Sequence, residues 1–300
     1  MGPWHVKYPF FYQNVQGLIP FGDLGDPDPK LHNDKLHDLN RHIARTKPDV
    51  VILNESWLKS SIHDSEIFAS DNYKIFRLDR CNFTHPADPN DPKKFRRNGG
   101  GVLLGLRRDL DIESKVIPVK CHAEILAVEL TDSSGRKVII STFYRTKTLG
   151  RENHELVSKH MRVIRRRRKV DEFIMIGDMN FPNTDWDTFS STNPTERLFL
   201  DTFNDLSLTQ LVLEPTHIKG NTLDYILTDK PENVSCIQVD SYSGLCGADH
   251  FPINFKLKLN ARRKKATKRT IPNFNKADFA SMDSDFFDEN WNEHFSNVSV

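Results

Sequence analysis

The sequence predicts an α/β fold in which two β-sheets pack together and helices flank them. First, about ten short apolar runs rich in Val, Ile and Phe recur along the chain, bounded by Gly, Asp or Asn as strands are. Second, only three or four segments carry apolar residues at helical spacing. That ratio holds too much sheet for a simple alternation of strand and helix, so two packed sheets fit the count better. Third, no internal repeat divides the chain.

The first strand is expected at 9–16 (PFFYQNVQ). Leu36, Leu39 and Ile43 then give one apolar face to a helix over 33–47. Strands follow at 49–54 (DVVILN) and 73–78. The proline-rich, polar segment 81–98 reads as a surface loop, and its Lys93, Lys94, Arg96 and Arg97 make it a candidate DNA-facing insertion. Further strands are expected at 100–106 (GGVLLGL), 124–130 (EILAVEL) and 137–144 (KVIISTFY), then a helix over 152–168. The run FIMIGD gives a strand at 172–178 that is apolar on both faces, as in a buried sheet. Asn193-Pro194 resembles an N-cap with a first-turn proline, starting a helix near 195–206. Strands at 222–228, 233–239 and 250–259 complete the set. After 259 the pattern gives way to a basic stretch and scattered aromatics, so a boundary is expected between 1–259 and 260–300.

Composition sets outer limits. Hydrophobic content is 37% and charged content 28%. No run approaches the roughly 18 apolar residues that span a bilayer, so no membrane partner is expected. MGPWHVKYPFFYQ lacks the long apolar core of a secretory signal, which points to a nuclear or cytoplasmic location. The four cysteines form no C-x-x-C pair, so free thiols are expected rather than a zinc site. The net charge of +1 conceals basic blocks at 165–169 (RRRRK) and 261–269 (ARRKKATKR), against six acidic residues in 270–300. The first block suits the C-terminal end of a helix as a solvated face; a DNA-backbone contact or nuclear localisation signal is the sharper alternative. The second suits non-specific nucleic-acid binding.

The chemistry lies at the strand ends. Asn14 closes the first strand and Glu55 follows the second; VIISTFYR ends in Tyr144 and Arg145. In FIMIGDMNFPNTDW, the polar pair Asp178 and Asn180 stands two positions apart, where an extended chain would aim both to one side. Thr216 precedes the strand that carries Asp224, and Asp249-His250 precedes the last one. Any one of these reads as an ordinary turn; together they form a set able to do chemistry. Asn14, Glu55 and Asp249 are oxygen donors suited to a hard cation such as Mg²⁺. His250 can exchange a proton near neutral pH, and a buried Asp224 could fix its tautomer. Asp178 with Asn180 could hold a water for in-line attack, while Tyr144 and Thr216 could donate to a phosphate oxygen. The parts add up to metal-assisted phosphoester hydrolysis. The remaining histidines, His154 and His217 among them, show no metal-ligand spacing and read as structural or exposed.

QNVQGL, NESWL, FYR, GDMNFPNTDW, PTH…LDYILT and ADHFPI occur in the order found in the endonuclease/exonuclease/phosphatase superfamily. More narrowly they resemble the apurinic/apyrimidinic-like endonuclease domain of jockey-type non-LTR retrotransposons, as does the glycine-rich RNGGGVLLGLRRDL. The resemblance covers 10–259 and implies a DNase I-like four-layer α/β/β/α sandwich of mixed sheets. It further implies a Mg²⁺- or Mn²⁺-dependent endonuclease that cuts DNA and leaves a 3′-hydroxyl. Carried over by position, Asn14, Glu55 and Asp249 hold the metal. Tyr144, Asp178, Asn180, Asp224 and His250 are catalytic, and Thr216 and Arg145 contact the substrate phosphate. Residues 260–300, with IPNFNKADF, resemble the linker that leads to a reverse transcriptase. The chain is then a fragment or a relic of such an element, with element RNA as a partner of the downstream polymerase. Two positions depart from the pattern: Ala248 replaces the usual serine before Asp-His, and Gln16 stands where cellular repair members carry aspartate. Two other readings keep the fold, a phosphoesterase of inositol phosphates or sphingolipid head groups, and an inactive nucleic-acid-binding remnant. The basic blocks oppose the first and the complete polar set opposes the second.

Overall fold

Strict alternation along the central strands sets the architecture. The computed structural model describes residues 6–18, 29–68, 72–85, 99–147, 149–166, 170–241, 245–264 and 276–289. In chain order the elements are β1 (Val6–Asn14), α1 (Pro29–Thr46), β2 (Val50–Asn54), α2 (Asp64–Ile67), β3 (Tyr73–Leu78), β4 (Val102–Arg107), β5 (Glu113–Ile117), β6 (Glu124–Thr131) and β7 (Lys137–Tyr144). They continue with α3 (Arg151–Arg165), β8 (Glu172–Asp178), β9 (Thr184–Asp185), β10 (Ser190–Ser191), α4 (Pro194–Asp205), β11 (Thr209–Gln210), β12 (Asp224–Thr228), β13 (Val234–Val239), β14 (Ile253–Leu259) and α5 (Phe279–Asp288).

Two six-stranded sheets form, ordered β13-β14-β1-β2-β4-β3 and β11-β12-β8-β7-β6-β5. Each holds one parallel pair, β1–β2 and β7–β8, and its other pairings are antiparallel. A parallel pair needs a crossover connection, which α1 and α3 supply. In β1, Tyr8, Phe10 and Tyr12 face the partner sheet while Phe11 faces outward; Val50 and Ile52 divide from Val51 and Leu53 in the same way. The second sheet sends Ile140, Ile174, Ile176 and Ile226 inward and Ile139, Phe173, Met175 and Tyr225 outward. Burying one such Ile or Val is worth about 1.5–3 kcal/mol. Leu39 and Ile43 of α1 cover the first outer face; Val157 and Met161 of α3 with Phe199 and Phe203 of α4 cover the second. The result is the four-layer α/β/β/α sandwich of mixed sheets expected from the sequence.

The ten expected strands form, and β3, β7 and β8 have the expected ends. The short strands β5, β9, β10 and β11 and the helices α2 and α5 were not foreseen. Lys93, Lys94, Arg96 and Arg97, and the end of RRRRK at 167–169, lie outside the described residues. The compact unit runs Met1–Lys264, beyond the expected boundary at 259. The Tyr8 hydroxyl donates to the Ala261 carbonyl, and Arg263 Nη2 lies 2.8 Å from the buried Asp49 carboxylate. Four residues of the basic stretch are therefore part of the domain's edge. The second unit, Lys265–Val300, contains α5, whose N-cap Asp278 accepts from the Ser281 amide at 3.1 Å. All four cysteines are free, Cys121 and Cys246 buried and Cys81 and Cys236 exposed. No helix among the described residues is long and apolar enough to cross a membrane.

Candidate active site

The inward-facing positions turn from apolar to polar at one end of the sandwich. In β8 the series Ile174, Ile176 continues to Asp178, and in β12 Ile226 is preceded by Asp224; Asp178 and Asp224 are register partners. In β7, Val138, Ile140 and Thr142 lead to Tyr144, which pairs with Asp178 in the parallel register. Asn14 pairs with Asn54 at the ends of β1 and β2. Asn54 locks the two sheets together there, donating to the Phe143 carbonyl and accepting from Thr142 Oγ1, both at 2.8 Å. Within the second sheet, Gly177 permits the close approach of β8 to β7, because a Cβ at that position would overlap the Phe143 carbonyl.

The polar ends open onto a cleft of about 1060 Å³. Glu55, Tyr144, Arg145, Asp178, Asn180, Asp249 and His250 line it. Behind them, Asp224 Oδ2 lies 2.7 Å from His250 Nδ1, and its Oδ1 accepts from the buried Tyr12 hydroxyl at 2.6 Å. The other ring nitrogen, His250 Nε2, is 3.8 Å from Asp178 Oδ2 and 3.7 Å from Asp249 Oδ1. Burial alone would lower His250, but the charge and hydrogen bond of Asp224, then Asp178 and Asp249, raise it to about 10. Burial, reinforced by the Asp224 carboxylate, pushes Asp178 well above the usual carboxylate range. Burial also raises the Tyr144 phenol, as does the neighbouring Glu55 carboxylate, to which it hydrogen-bonds.

Asn180 reaches Asp178 by a route other than strand alternation. The strand ends at Asp178, and Asn180 adopts a left-handed backbone with φ of 51°. This turn lets its amide N–H donate to Asp178 Oδ1 at 2.9 Å and its Nδ2 to Asp178 Oδ2 at 3.1 Å. Left-handed backbone is rare outside glycine, though Asn tolerates it. Glu55 has φ of 51° as well, at the turn that swings it into the cleft.

Two of the expected site residues, Asn14 and Thr216, are not among those lining the cleft. Asn14 is fully buried, and its Nδ2 donates to Glu55 Oε1 at 2.9 Å and Asp178 Oδ2 at 3.0 Å, while its Oδ1 accepts from the Gln16 amide. Its amide nitrogen thus bridges two carboxylates. Thr216 is also fully buried and off the cleft wall; its hydroxyl oxygen accepts from the amides of Leu223 and Asp224 at 3.0 and 3.1 Å. That bond fixes the start of β12, and hence Asp224. Arg145 lines the cleft while donating through Nε to His154 Nε2 at 3.0 Å and through Nη1 to the Asn180 carbonyl at 3.1 Å.

Three residues make contacts at the site that the sequence reading did not assign to them. Gln16 Oε1 accepts from the Asp249 amide at 3.1 Å, so this neutral residue anchors the loop that follows Ala248. His217 Nε2 lies 3.2 Å from Asp249 Oδ2. Tyr12 supports Asp224 from inside the core. Only the position of His217 directly after Thr216 could have drawn notice to it.

The donor set fits a hard cation. Glu55 and Asp249 present carboxylates to one cleft, and Asp249 Oδ1 is buried with no hydrogen-bond partner among the described residues. Such an oxygen needs a cationic or donor partner.

Comparison with known proteins accords with this architecture. The family model described as "Endonuclease/Exonuclease/phosphatase family" matches residues 12–250. No curated protein matches significantly by sequence. Among solved structures, the AP endonuclease LMAP from Leishmania major is similar with a TM-score of 0.61 at 16% identity, over 84% of this chain and 88% of that one. The endonuclease domain of TRAS1, a telomere-specific non-LTR retrotransposon, aligns at a TM-score of 0.57 and 15% identity, over 85% of this chain and 100% of that one. The 3′ phosphatase NExo from Neisseria, solved with a product DNA hairpin, aligns at 0.56 and 14% identity, over 84% and 99%. At these identities the solved structures attest the shared fold. The family model spans well over half of the sequence, and the chain belongs to the endonuclease/exonuclease/phosphatase family.

Proposed function

We propose that the protein is a Mg²⁺-dependent endonuclease that hydrolyses DNA phosphodiester bonds and leaves a 3′-hydroxyl. The observation that carries this reading is His250 held between Asp224 and Asp178 at the floor of an open cleft, beside Glu55 and Asp249. Glu55 and Asp249 would hold the cation, with Asn14 fixing Glu55 in place. The metal, when bound, supplies charge to stabilise the developing phosphorane and the departing oxygen. Asp178, oriented by Asn180 and Asn14, positions the attacking water and takes its proton. His250, oriented by Asp224, hydrogen-bonds a non-bridging phosphate oxygen through Nε2. Tyr144 donates to the phosphate from the cleft wall. Attack in line with O3′ forms the new P–O bond and breaks P–O3′; the departing O3′ takes a proton from solvent to give the 3′-hydroxyl, and the 5′-phosphate is left on the other fragment.

DNA as substrate is supported by the open cleft, with Lys147 and Lys219 on its walls, and by the nucleases named among similar structures. The motif order and the TRAS1 similarity support an origin in a non-LTR retrotransposon, with the stretch after 264 as the link toward a polymerase. The test is incubation with supercoiled plasmid and Mg²⁺, with and without EDTA, followed by primer extension from the nicks. Nicked circles that a polymerase extends only when Mg²⁺ was present during cutting support the reading. Nicks blocked to extension, or release of inorganic phosphate from inositol phosphates without nicking, would refute it.

A further inference from the structure

The segment 216–218 is stitched to 249–251, which places an imidazole against the Asp249 carboxylate. The Phe251 amide donates to the Thr216 carbonyl at 2.7 Å, and the Ile218 amide to the Asp249 carbonyl at 2.9 Å. His217 and His250 sit opposite one another in the resulting bridge, rings edge-on with centroids 4.9 Å apart. His217 is buried, and its Nε2 lies 3.2 Å from Asp249 Oδ2.

The tautomer of His217 follows from its other nitrogen. Nδ1 accepts a hydrogen bond from the Lys219 amide at 3.1 Å, so it carries a lone pair, and the ring proton sits on Nε2. The nitrogen facing Asp249 is therefore a donor. His217, Asp249 and His250 also form a cluster close enough to share one metal ion. The Lys219 bond argues against that arrangement, because a ligating Nε2 opposite an accepting Nδ1 would require an imidazolate.

We propose that His217 is a positioning residue for Asp249: its Nε2–H holds Oδ2 and so leaves Oδ1, which has no hydrogen-bond partner among the described residues, aimed at the cation. This rests on the reading of Asp249 as a metal-holding carboxylate. It also accounts for an intact loop despite Ala248, since Gln16 holds the Asp249 backbone and His217 its side chain. Outer partners of metal-holding groups are typically worth 10–100-fold in metal affinity.

The experiment is Mn²⁺ binding to the full chain without DNA, followed by electron paramagnetic resonance. His217→Phe keeps the ring volume and removes the donor; His217→Gln keeps an N–H donor of similar reach. Mn²⁺ affinity is expected to fall about 10-fold in H217F and to return to within about threefold of wild type in H217Q. Wild-type affinity in H217F would overturn the proposal. Equal weakening in H217Q and H217F would make His217 a ligand rather than a donor, and would overturn it too. No Mn²⁺ binding by the wild type would remove the metal reading of Asp249 and this inference with it. Failure to nick DNA despite the expected binding pattern would refute the proposed substrate alone.

Discussion

Asp178 and Asp224 face one another as register partners across β8 and β12, both buried, with the His250 ring beside each of them. Two carboxylates so close share charge poorly, and the imidazole between them relieves the strain.

Replacing Asp224 with Asn keeps the shape and removes the charge behind His250. Nicking by D224N is expected to fall by about 10²–10⁴-fold, the usual range for a lost acid–base or orienting group. In the metal-free protein the His250 titration should move down from about 10. NMR of the ring protons gives the second reading independently of activity; an unmoved midpoint would contradict the pairing.

The Tyr12 hydroxyl donates to Asp224 Oδ1 from the core. Tyr12→Phe leaves that oxygen one donor short and should cost about 1–3 kcal/mol in urea denaturation. Activity is expected to fall less than tenfold, because the His250 bond persists.

His154 should make the fold acid-sensitive. Burial, then the adjacent Arg145 cation, depress it to about 4 from an ordinary 6.5. The unfolded chain therefore binds the extra proton between those values, so stability is full above 6.5 and falls as the pH drops toward 4. The loss is on the order of 2–3 kcal/mol. His154→Gln, which keeps an acceptor for Arg145 Nε, should lose less over that interval in pH-dependent thermal melts.

Gly177→Ala drives a methyl into the Phe143 carbonyl, so β7 and β8 must separate at the site. Thermal stability is expected to drop by more than 2 kcal/mol, on the order of other overpacking changes. An unperturbed melting curve would contradict the close approach.

Much of this was legible in sequence because buried strands announce themselves. FIMIG and VII are continuous apolar runs within β8 and β7. By contrast β5, ESKVI, lies mostly exposed at a sheet edge and shows no such run. The two residues of β11 are too few for any period to register. At the site, the residue types at strand ends were readable, but their partners were not. Tyr12 meets Asp224 across 212 positions where the two sheets pack, and Gln16 meets Asp249 across 233 at the end of the β1–β14 pair, contacts that only the tertiary fold creates. Alternation placed Asn180 beside Asp178 for the wrong reason, since a left-handed turn does the work. Asn14 and Thr216 likewise carried the right chemistry, yet tertiary packing turned their polar atoms toward Glu55, Asp178 and the start of β12.

The most direct measurement is the single-turnover rate of plasmid nicking in Mg²⁺ for wild type, Asp178→Asn and His250→Ala, with melting temperatures taken in parallel. Rates are expected to fall by at least about 10²-fold in each variant while both remain folded. Undiminished nicking in both folded variants would contradict the role given to this site.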